Sequence, residues 1–165
     1  MAFDSFFQIK TPNVDGESAD TKFSKAIEIL SFSMGISNPA TIGSHTGGGS
    51  GGKASFSPFS IMKRTDSASP VLMQGCASGQ HYDSAVLSLR KAGGAAALVY
   101  LTYTFSEVFI ESIQWSGSTG GDDVPTESVS FAYGTLQVSY TPQTKTGTAG
   151  VAVPGGWSVI TNAKA

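Results

Sequence analysis

Apolar and polar residues alternate with a period of two along most of the chain. In residues 84–90, the side chains of Ala85, Leu87 and Leu89 share one face, which is typical of a half-buried strand. Residues 99–105 repeat the pattern with β-branched and aromatic side chains, which favour strands. The same reasoning predicts further strands at residues 3–10, 26–36, 54–63, 109–115, 127–141 and near 157–161.

The strand predicted at 127–141 changes phase in its middle. Its apolar residues stand at odd positions as far as Tyr133 and at even positions from Leu136 onward. Gly134 lies between the two runs, so the sequence predicts a bulge or bend there.

One segment has the pattern of a helix, at about residues 70–78. Ser69 is placed to act as its N-cap, Pro70 suits the first helical position, and Gly79 is expected to end it. The glycine-rich tracts 43–52 and 117–121 are predicted loops. The longer segment 37–53 is expected to have no secondary structure of its own and therefore to be functional.

Composition indicates a folded chain with little surface charge. Its 165 residues suit one domain, at 1–165, and 40% of them are hydrophobic. Charged residues make up only 13% and the net charge is −2, with no block of like charge. We therefore expect neither a nucleic-acid nor a membrane partner, and such weak self-repulsion permits a homo-oligomer.

Cys76 is the only cysteine, which excludes a disulfide within the chain and a cluster of thiolate ligands. The N-terminal residues lack the apolar run of a secretory signal, and the longest apolar run, 95–101, is far shorter than a bilayer span. The sequence therefore predicts assembly in the cytoplasm, and any export would use a route that reads no N-terminal signal.

The tract from Gly47 to Lys53 contains most of a phosphate loop. However, Ala54 stands where the magnesium-binding hydroxyl is required, and no helix is predicted to follow. The same tract also matches a dinucleotide-binding and a nucleophile-elbow motif, and three unrelated matches in one tract indicate composition. We interpret it as a flexible loop.

Candidate catalytic and metal-binding residues are few. His81 with Asp83 and one of many serines could form a triad, but such a set arises by chance in a serine-rich chain. Asp122, Asp123 and Glu127 are interpreted as a solvated acidic turn, since they lack the spacing of a metal site. We expect no catalytic residue, no cofactor and no metal.

The chain resembles, almost end to end, the haemolysin-coregulated protein (Hcp) family, which forms the tube of bacterial type VI secretion. The matching stretches run in order through the sequence. They are FDSFFQIK (3–10), DGESADTK (15–22), IEILSFSMGISNP (27–39), the GGGSGGK tract ending at Lys53, ASPVLMQGCASGQHYDSAVLSLRKAGG (68–94), YTPQ (140–143) and GW (156–157).

The resemblance implies a mainly β protein, a compact β-barrel of two packed antiparallel sheets with one flanking helix. It also implies hexameric rings that stack into a tube, are expelled with a spike protein when a contractile sheath fires, and carry secreted effectors in the lumen. Two other functions stay open: a tube subunit of a phage tail or related contractile particle, and a small hydrolase that uses His81 or the glycine loop.

Two surfaces are predicted to carry this function. In residues 27–35 the even positions Leu30, Phe32 and Met34 are expected to face the core, which leaves Ser31 and Ser33 facing the lumen and its cargo. The loop is assigned to ring stacking, through the residues Asn38, Thr41, His45, Gly47, Gly48, Gly49, Gly52 and Lys53.

Overall fold

The structure, a computed structural model, describes residues 3–42, 49–91, 97–120 and 124–165. Within these ranges the chain forms twelve strands and one helix. The strands are β1 (Phe3–Lys10), β2 (Ile27–Ser33), β3 (Ile36–Ser37), β4 (Ala40–Ile42), β5 (Gly49–Gly51), β6 (Ser55–Phe56), β7 (Phe59–Arg64), β8 (His81–Lys91), β9 (Val99–Ser116), β10 (Thr126–Tyr140), β11 (Val153–Ser158) and β12 (Ala163–Lys164). The helix, α1 (Ser69–Ser78), lies between β7 and β8.

Six of the strands within the described ranges close into a barrel, in the order β10, β7, β2, β1, β8, β9 and back to β10. Neighbouring strands are antiparallel throughout. The mainly β barrel with one flanking helix that the resemblance to a known family implied is confirmed. Closure removes the free strand edges that an open sheet would expose. One edge of β10 is shared, since its first half pairs with β7 and its second half with β11.

Aromatic side chains fill the barrel interior. Phe7, Phe59, Phe105 and Phe131 are at most 1% exposed, and the rings of Phe59 and Phe105 have centroids 4.5 Å apart. Tilted ring pairs of this kind stabilise a core beyond the area that they bury. Leu72 of α1, also fully buried, packs into the same cluster and so fixes the helix against the barrel.

The phase change predicted at Gly134 occurs, but the register of the β9–β10 ladder does not shift there. Tyr133 pairs with Val108, and the next inward pair, Leu136 with Phe105, is three residues further along both strands. In both strands the side chains that point inward therefore change between odd and even positions at the same place along the ladder. Glu107 of β9 lies there with a φ of 55°. The register shift within this ladder lies elsewhere, between Ser130 and Phe131.

The strands predicted at 99–105 and 109–115 are one continuous strand, β9. Glu107, the residue with a positive φ between them, does not end the ladder with β10. The strand predicted at 26–36 is interrupted after β2, and the one at 54–63 is divided into β6 and β7. The short strand β12 was not predicted from the sequence.

The prediction that Ser69 is the N-cap of α1 is wrong. Ser69 is the first helical residue, and the N-cap is Ala68, which has no side-chain oxygen to bind the helix amides. In the loop before it, Asp66 Oδ1 accepts the amide of Ala68 at 2.9 Å. The Ser69 hydroxyl instead accepts the amide of Asp66 at 3.0 Å, which ties the helix to the loop that precedes it. Gly79 ends the helix as predicted, with the left-handed φ of 65° that glycine tolerates.

Candidate functional site

Ser31 and Ser33 are exposed on the outer face of β2, as predicted. The reason differs from the one that the sequence suggested. Ile29 pairs with Lys63 but Ser31 pairs with Met62, so β2 contains one extra residue at Leu30. This bulge reverses the alternation, because a one-residue insertion exchanges the two faces of a strand.

The prediction that Leu30 faces the core is therefore wrong. Its side chain is 51% exposed, and the buried positions before the bulge are the odd ones, Ile27 and Ile29. After the bulge the even positions turn inward, where the half-buried Phe32 and Met34 pack against the core.

Strand register places two rows of side chains across four neighbouring strands, and all of them are polar except that of Met62. The first row is Ser33, Ser60, Ser130 and Ser112, on β2, β7, β10 and β9 in that order. The second row is Ser31, Met62, Ser128 and Gln114. We call these eight residues the serine face. Within it, the hydroxyls of Ser60 and Ser130 are 2.9 Å apart and hydrogen-bonded.

The serine face has no charged member, so it offers hydroxyl and amide groups and the 44% exposed side chain of Met62 without a fixed charge. The pattern of the sequence identified only its first strand, β2. The alternating serines at 128 and 130 were visible, but nothing in a single sequence specifies which strand lies beside which. Closure of the barrel brings the four strands together.

The serine face ends at two strand edges that are unpaired in the described ranges. Residues 31–33 of β2 pair with β7 on one side. On their other side they have no ladder partner in the described ranges, because β1 reaches only residues 27 and 28 of β2. Residues 110–116 of β9 pair with β10 on one side. The ladder with β8 on the other side stops at Phe109, which is opposite His81, the first residue of β8. Open edges have unpaired backbone groups and are ready to pair with another chain.

The expectation that residues 37–53 lack secondary structure is wrong. β3 pairs with β6 and β4 pairs with β5, which makes a two-stranded ribbon over 36–42 and 49–56. We call this ribbon the arm. At its base, the Gly35 amide donates to Ser57 Oγ at 2.7 Å and Tyr133 Oη donates to the Ser57 carbonyl at 3.0 Å.

Some of the residues predicted for ring stacking lie on the arm, and the others lie outside the described residues. Asn38 and Lys53 are exposed on the arm. Thr41 and Gly49 belong to β4 and β5, and the amide of Gly52 donates to the Pro39 carbonyl at 2.8 Å. The remaining predicted residues, His45, Gly47 and Gly48, lie outside the described residues.

A buried ionic cluster lies inside the barrel beneath the start of α1. Lys63 Nζ is 2.7 Å from Asp66 Oδ1 and 3.1 Å from Glu127 Oε2, and the side chains of Lys63 and Glu127 are 0% exposed. Lys63 also donates to Ser69 Oγ at 3.0 Å. Burial raises the pKa of Glu127, but hydrogen bonds from Ser69 and Lys63 outweigh it and hold the pKa below its ordinary value.

The interpretation of Glu127 as part of a solvated acidic turn is therefore wrong, because its carboxylate is fully buried against Lys63. The other two residues of that interpretation, Asp122 and Asp123, lie outside the described residues. Among the residues that the structure describes, no group of three or more His, Cys, Asp or Glu side chains is arranged to hold a metal ion.

An outer clamp holds the segment between β1 and β2 against the sheet. Arg90 donates to Asp20 at 2.6 Å and to Asp4 at 2.9 Å, and its guanidinium lies over the ring of Phe6, which stacks on Phe23 at 4.5 Å. The hydrogen bond from Arg90 lowers the pKa of Asp20 to about 2. The clamp is structural, since its polar groups are turned toward one another.

The arrangement around His81 gives no support to a hydrolase. Its Nδ1 is 3.9 Å from Asp83 Oδ1, its ring packs edge-on against Phe109, and within the described ranges it makes no hydrogen bond to a serine. Lys53 lies between β5 and β6, so no helix N-terminus follows it as a phosphate loop requires. None of the helices in the described ranges is long and apolar enough to cross a membrane.

Known proteins with similar sequences and structures agree with the barrel and helix described above. The sequence model described as "Type VI secretion system effector, Hcp" matches residues 6–140. Protein hcp1 of Pseudomonas aeruginosa PAO1 is 40% identical over 166 residues, which cover 100% of each chain. A solved structure of a type six secretion system protein superposes with a TM-score of 0.92 at 39% identity, over 99% of this chain and 100% of that one. Hcp1 from Salmonella typhimurium gives 0.82 at 32% identity, over 100% of both chains.

Barrel, helix and comparisons together define a structural, secreted tube protein of the type VI secretion system. The chain belongs to the Hcp family.

Proposed function

We propose that this chain forms hexameric rings that stack into a tube, and that the serine face lines its lumen. The observation that carries the proposal is the pairing of an uncharged hydroxyl surface with two open edges, one on β2 and one on β9. Joining the β2 edge of one copy to the β9 edge of the next is a heterologous contact, and repetition of such a contact closes a ring. The serine faces then form one continuous inner wall.

Such a wall suits a channel that holds cargo and releases it. Hydroxyl groups can donate or accept hydrogen bonds, whereas a large apolar patch or a fixed charge would favour one partner. We propose that the cargo is a secreted effector and that the ring is expelled with a spike protein by a contractile sheath, after assembly in the cytoplasm. The tube is passive and catalyses no reaction.

Light scattering tests ring formation. We expect about six times the chain mass of 17.0 kDa, and a stable monomer at micromolar concentration would contradict the proposal.

Ser33→Gln tests the lumen. Glutamine adds bulk at one end of the first serine row without adding charge, so we expect rings of unchanged mass that retain less effector. Ser78→Gln is the matched control, because Ser78 is exposed on α1 and lies off the serine face. Effector is measured by co-purification with the rings. Unchanged retention in intact rings would remove Ser33 from the site, and loss of the rings would place it at an interface.

We assign stacking to the arm. An isolated two-stranded ribbon is marginally stable in water, so an arm of this kind is expected to gain stability by contact with another ring. Deleting residues 47–52 should leave single rings intact and reduce the number of tubes seen by negative-stain microscopy. If the variant cannot fold, the arm belongs to the core and the assignment is wrong.

A further inference from the structure

A groove of about 360 Å³ lies at the end of the β2–β7 ladder that is remote from the arm. It is lined by Glu17, Glu28, Leu30, Arg64 and Val124, among others. Leu30 and Val124 are 51% and 38% exposed, so two apolar side chains of the groove are open to solvent. These side chains gain free energy when a partner removes them from water.

The groove has three acidic residues, Glu17, Glu28 and Asp66, against one basic residue, Arg64, so its charge is opposite to that of the arm. Glu28 makes no hydrogen bond or ion pair among the described residues, whereas Glu17 accepts the Ser67 amide at 3.0 Å. Lys53 is the only Lys, Arg, Asp or Glu between residues 35 and 58, and it also has no partner within the described ranges. The arm also presents an apolar side chain, Ile36, which is 58% exposed.

The two features lie at opposite ends of the same ladder. The ladder begins near the groove, where Ile29 pairs with Lys63, and ends at the arm, where Ser33 pairs with Ser60. One molecule therefore presents the arm at one end and the groove at the other. A contact between two different patches on identical chains is heterologous, and when the patches lie at opposite ends of the molecule it repeats along a line and does not close a ring.

We propose that the groove receives the arm of a second copy of this chain, from the adjacent ring of the stack. Lys53 of the arm lies beside Glu28, and Ile36 covers the exposed Leu30. This inference rests on the proposed stacked rings and names the surface that the arm binds. Docking neutralises two unpaired charges and removes apolar surface from water on both partners.

Cysteine cross-linking tests the contact directly. The variant Lys53→Cys/Glu28→Cys is made in a Cys76→Ala background, concentrated and oxidised, and its products are separated without reductant. We expect a ladder of covalent products that extends beyond six chains, because only contacts between rings link an unlimited number of chains. Lys145→Cys/Glu28→Cys is the control, since Lys145 is exposed in a different loop, and it should give no such ladder.

Two other results would overturn the docking. Products that end at six chains would place the arm against a neighbour in the same ring, and no product from intact rings would exclude the contact. Light scattering on the same samples separates the two proposals. If the unmodified protein forms no rings, the proposed function fails, whereas intact rings with a negative cross-link reject the docking alone.

Charge reversal gives a second readout. Glu28→Lys or Lys53→Glu should each weaken a single contact by up to about fivefold, and the effect on stacking is larger because the contact repeats around the ring. Stacking is measured as the fraction of protein that pellets as tubes on centrifugation. The double reversal Glu28→Lys/Lys53→Glu restores opposite charges and should restore this fraction. Equal loss in the single and double variants would contradict the pairing.

Discussion

Lys63→Met removes the cation from the buried cluster and keeps a side chain of similar length. In the native protein Lys63 Nζ is 3.1 Å from Glu127 Oε2 and 2.7 Å from Asp66 Oδ1. After the change Glu127 has a fully buried carboxylate without its cation. A charge in this position cannot recover its hydration without opening the barrel.

We expect the free energy of unfolding to fall by about 3–5 kcal/mol, the usual cost of removing one partner of a buried ion pair. Domains are stable by only about 5–15 kcal/mol, so this change uses a large part of the total. At about 2–4 °C per kcal/mol for a chain of this size, the melting temperature should fall by roughly 6–20 °C.

Lys25→Met is the matched control. Lys25 Nζ lies 3.2 Å from Asp15 Oδ2, nearly the same distance as in the buried pair, but the two side chains are 70% and 56% exposed. Exposed pairs contribute at most about 1 kcal/mol. The two variants therefore compare ion pairs of nearly equal length that differ in burial, and Lys63 has a second carboxylate partner in Asp66.

Urea unfolding followed by circular dichroism, at one fixed protein concentration, measures both changes. Lys63→Met/Glu127→Gln should be more stable than Lys63→Met alone, because the buried charge is removed together with its partner. The loss in Lys63→Met should also shrink as the pH falls from 7 toward 4.5, since the isolated Glu127 then takes up a proton. A loss below 1 kcal/mol, or a double variant that loses the sum of both single changes, would refute the reasoning.

Two further predictions concern packing and pH. Gly75→Ala should destabilise the protein by about 1–3 kcal/mol in thermal melts, because a Cβ at Gly75 would meet the buried ring of Tyr82, and a stabilised variant would contradict the packing. The clamp at Asp20 should contribute stability above its unfolded pKa of 3.8 and lose it as the pH falls toward about 2. Asp20→Asn should therefore melt below wild type at pH 7 but alongside it near pH 2, and an equal difference at both pH values would exclude the clamp.

The sequence determined the elements of this protein and the faces of most of them. Period-two alternation identified β1, β8 and β10 within a residue or a few of their observed bounds, and Gly79 marked the end of α1. These features are local, because a side chain alternates along its own strand and a glycine adopts a left-handed φ on its own. The resemblance of ordered segments to the Hcp family, also read from the sequence, agrees with the family match and the barrel.

The tertiary structure decided everything that depends on two segments at once. The bulge at Leu30 exists only relative to the register of β7, and it decides which side chains of β2 face outward. In an isolated helix, alanine would be favoured over glycine at position 75. Glycine is required there only because Tyr82 packs against the helix.

The serine face follows the same rule. Its rows combine Ser33, Ser60, Ser112 and Ser130 from strands that are far apart in the sequence, and the barrel closure places them side by side. Period and propensity act within one strand, whereas strand order is set by how the whole core packs. That is why the sequence located Ser31 and Ser33 but could not show the surface to which they belong.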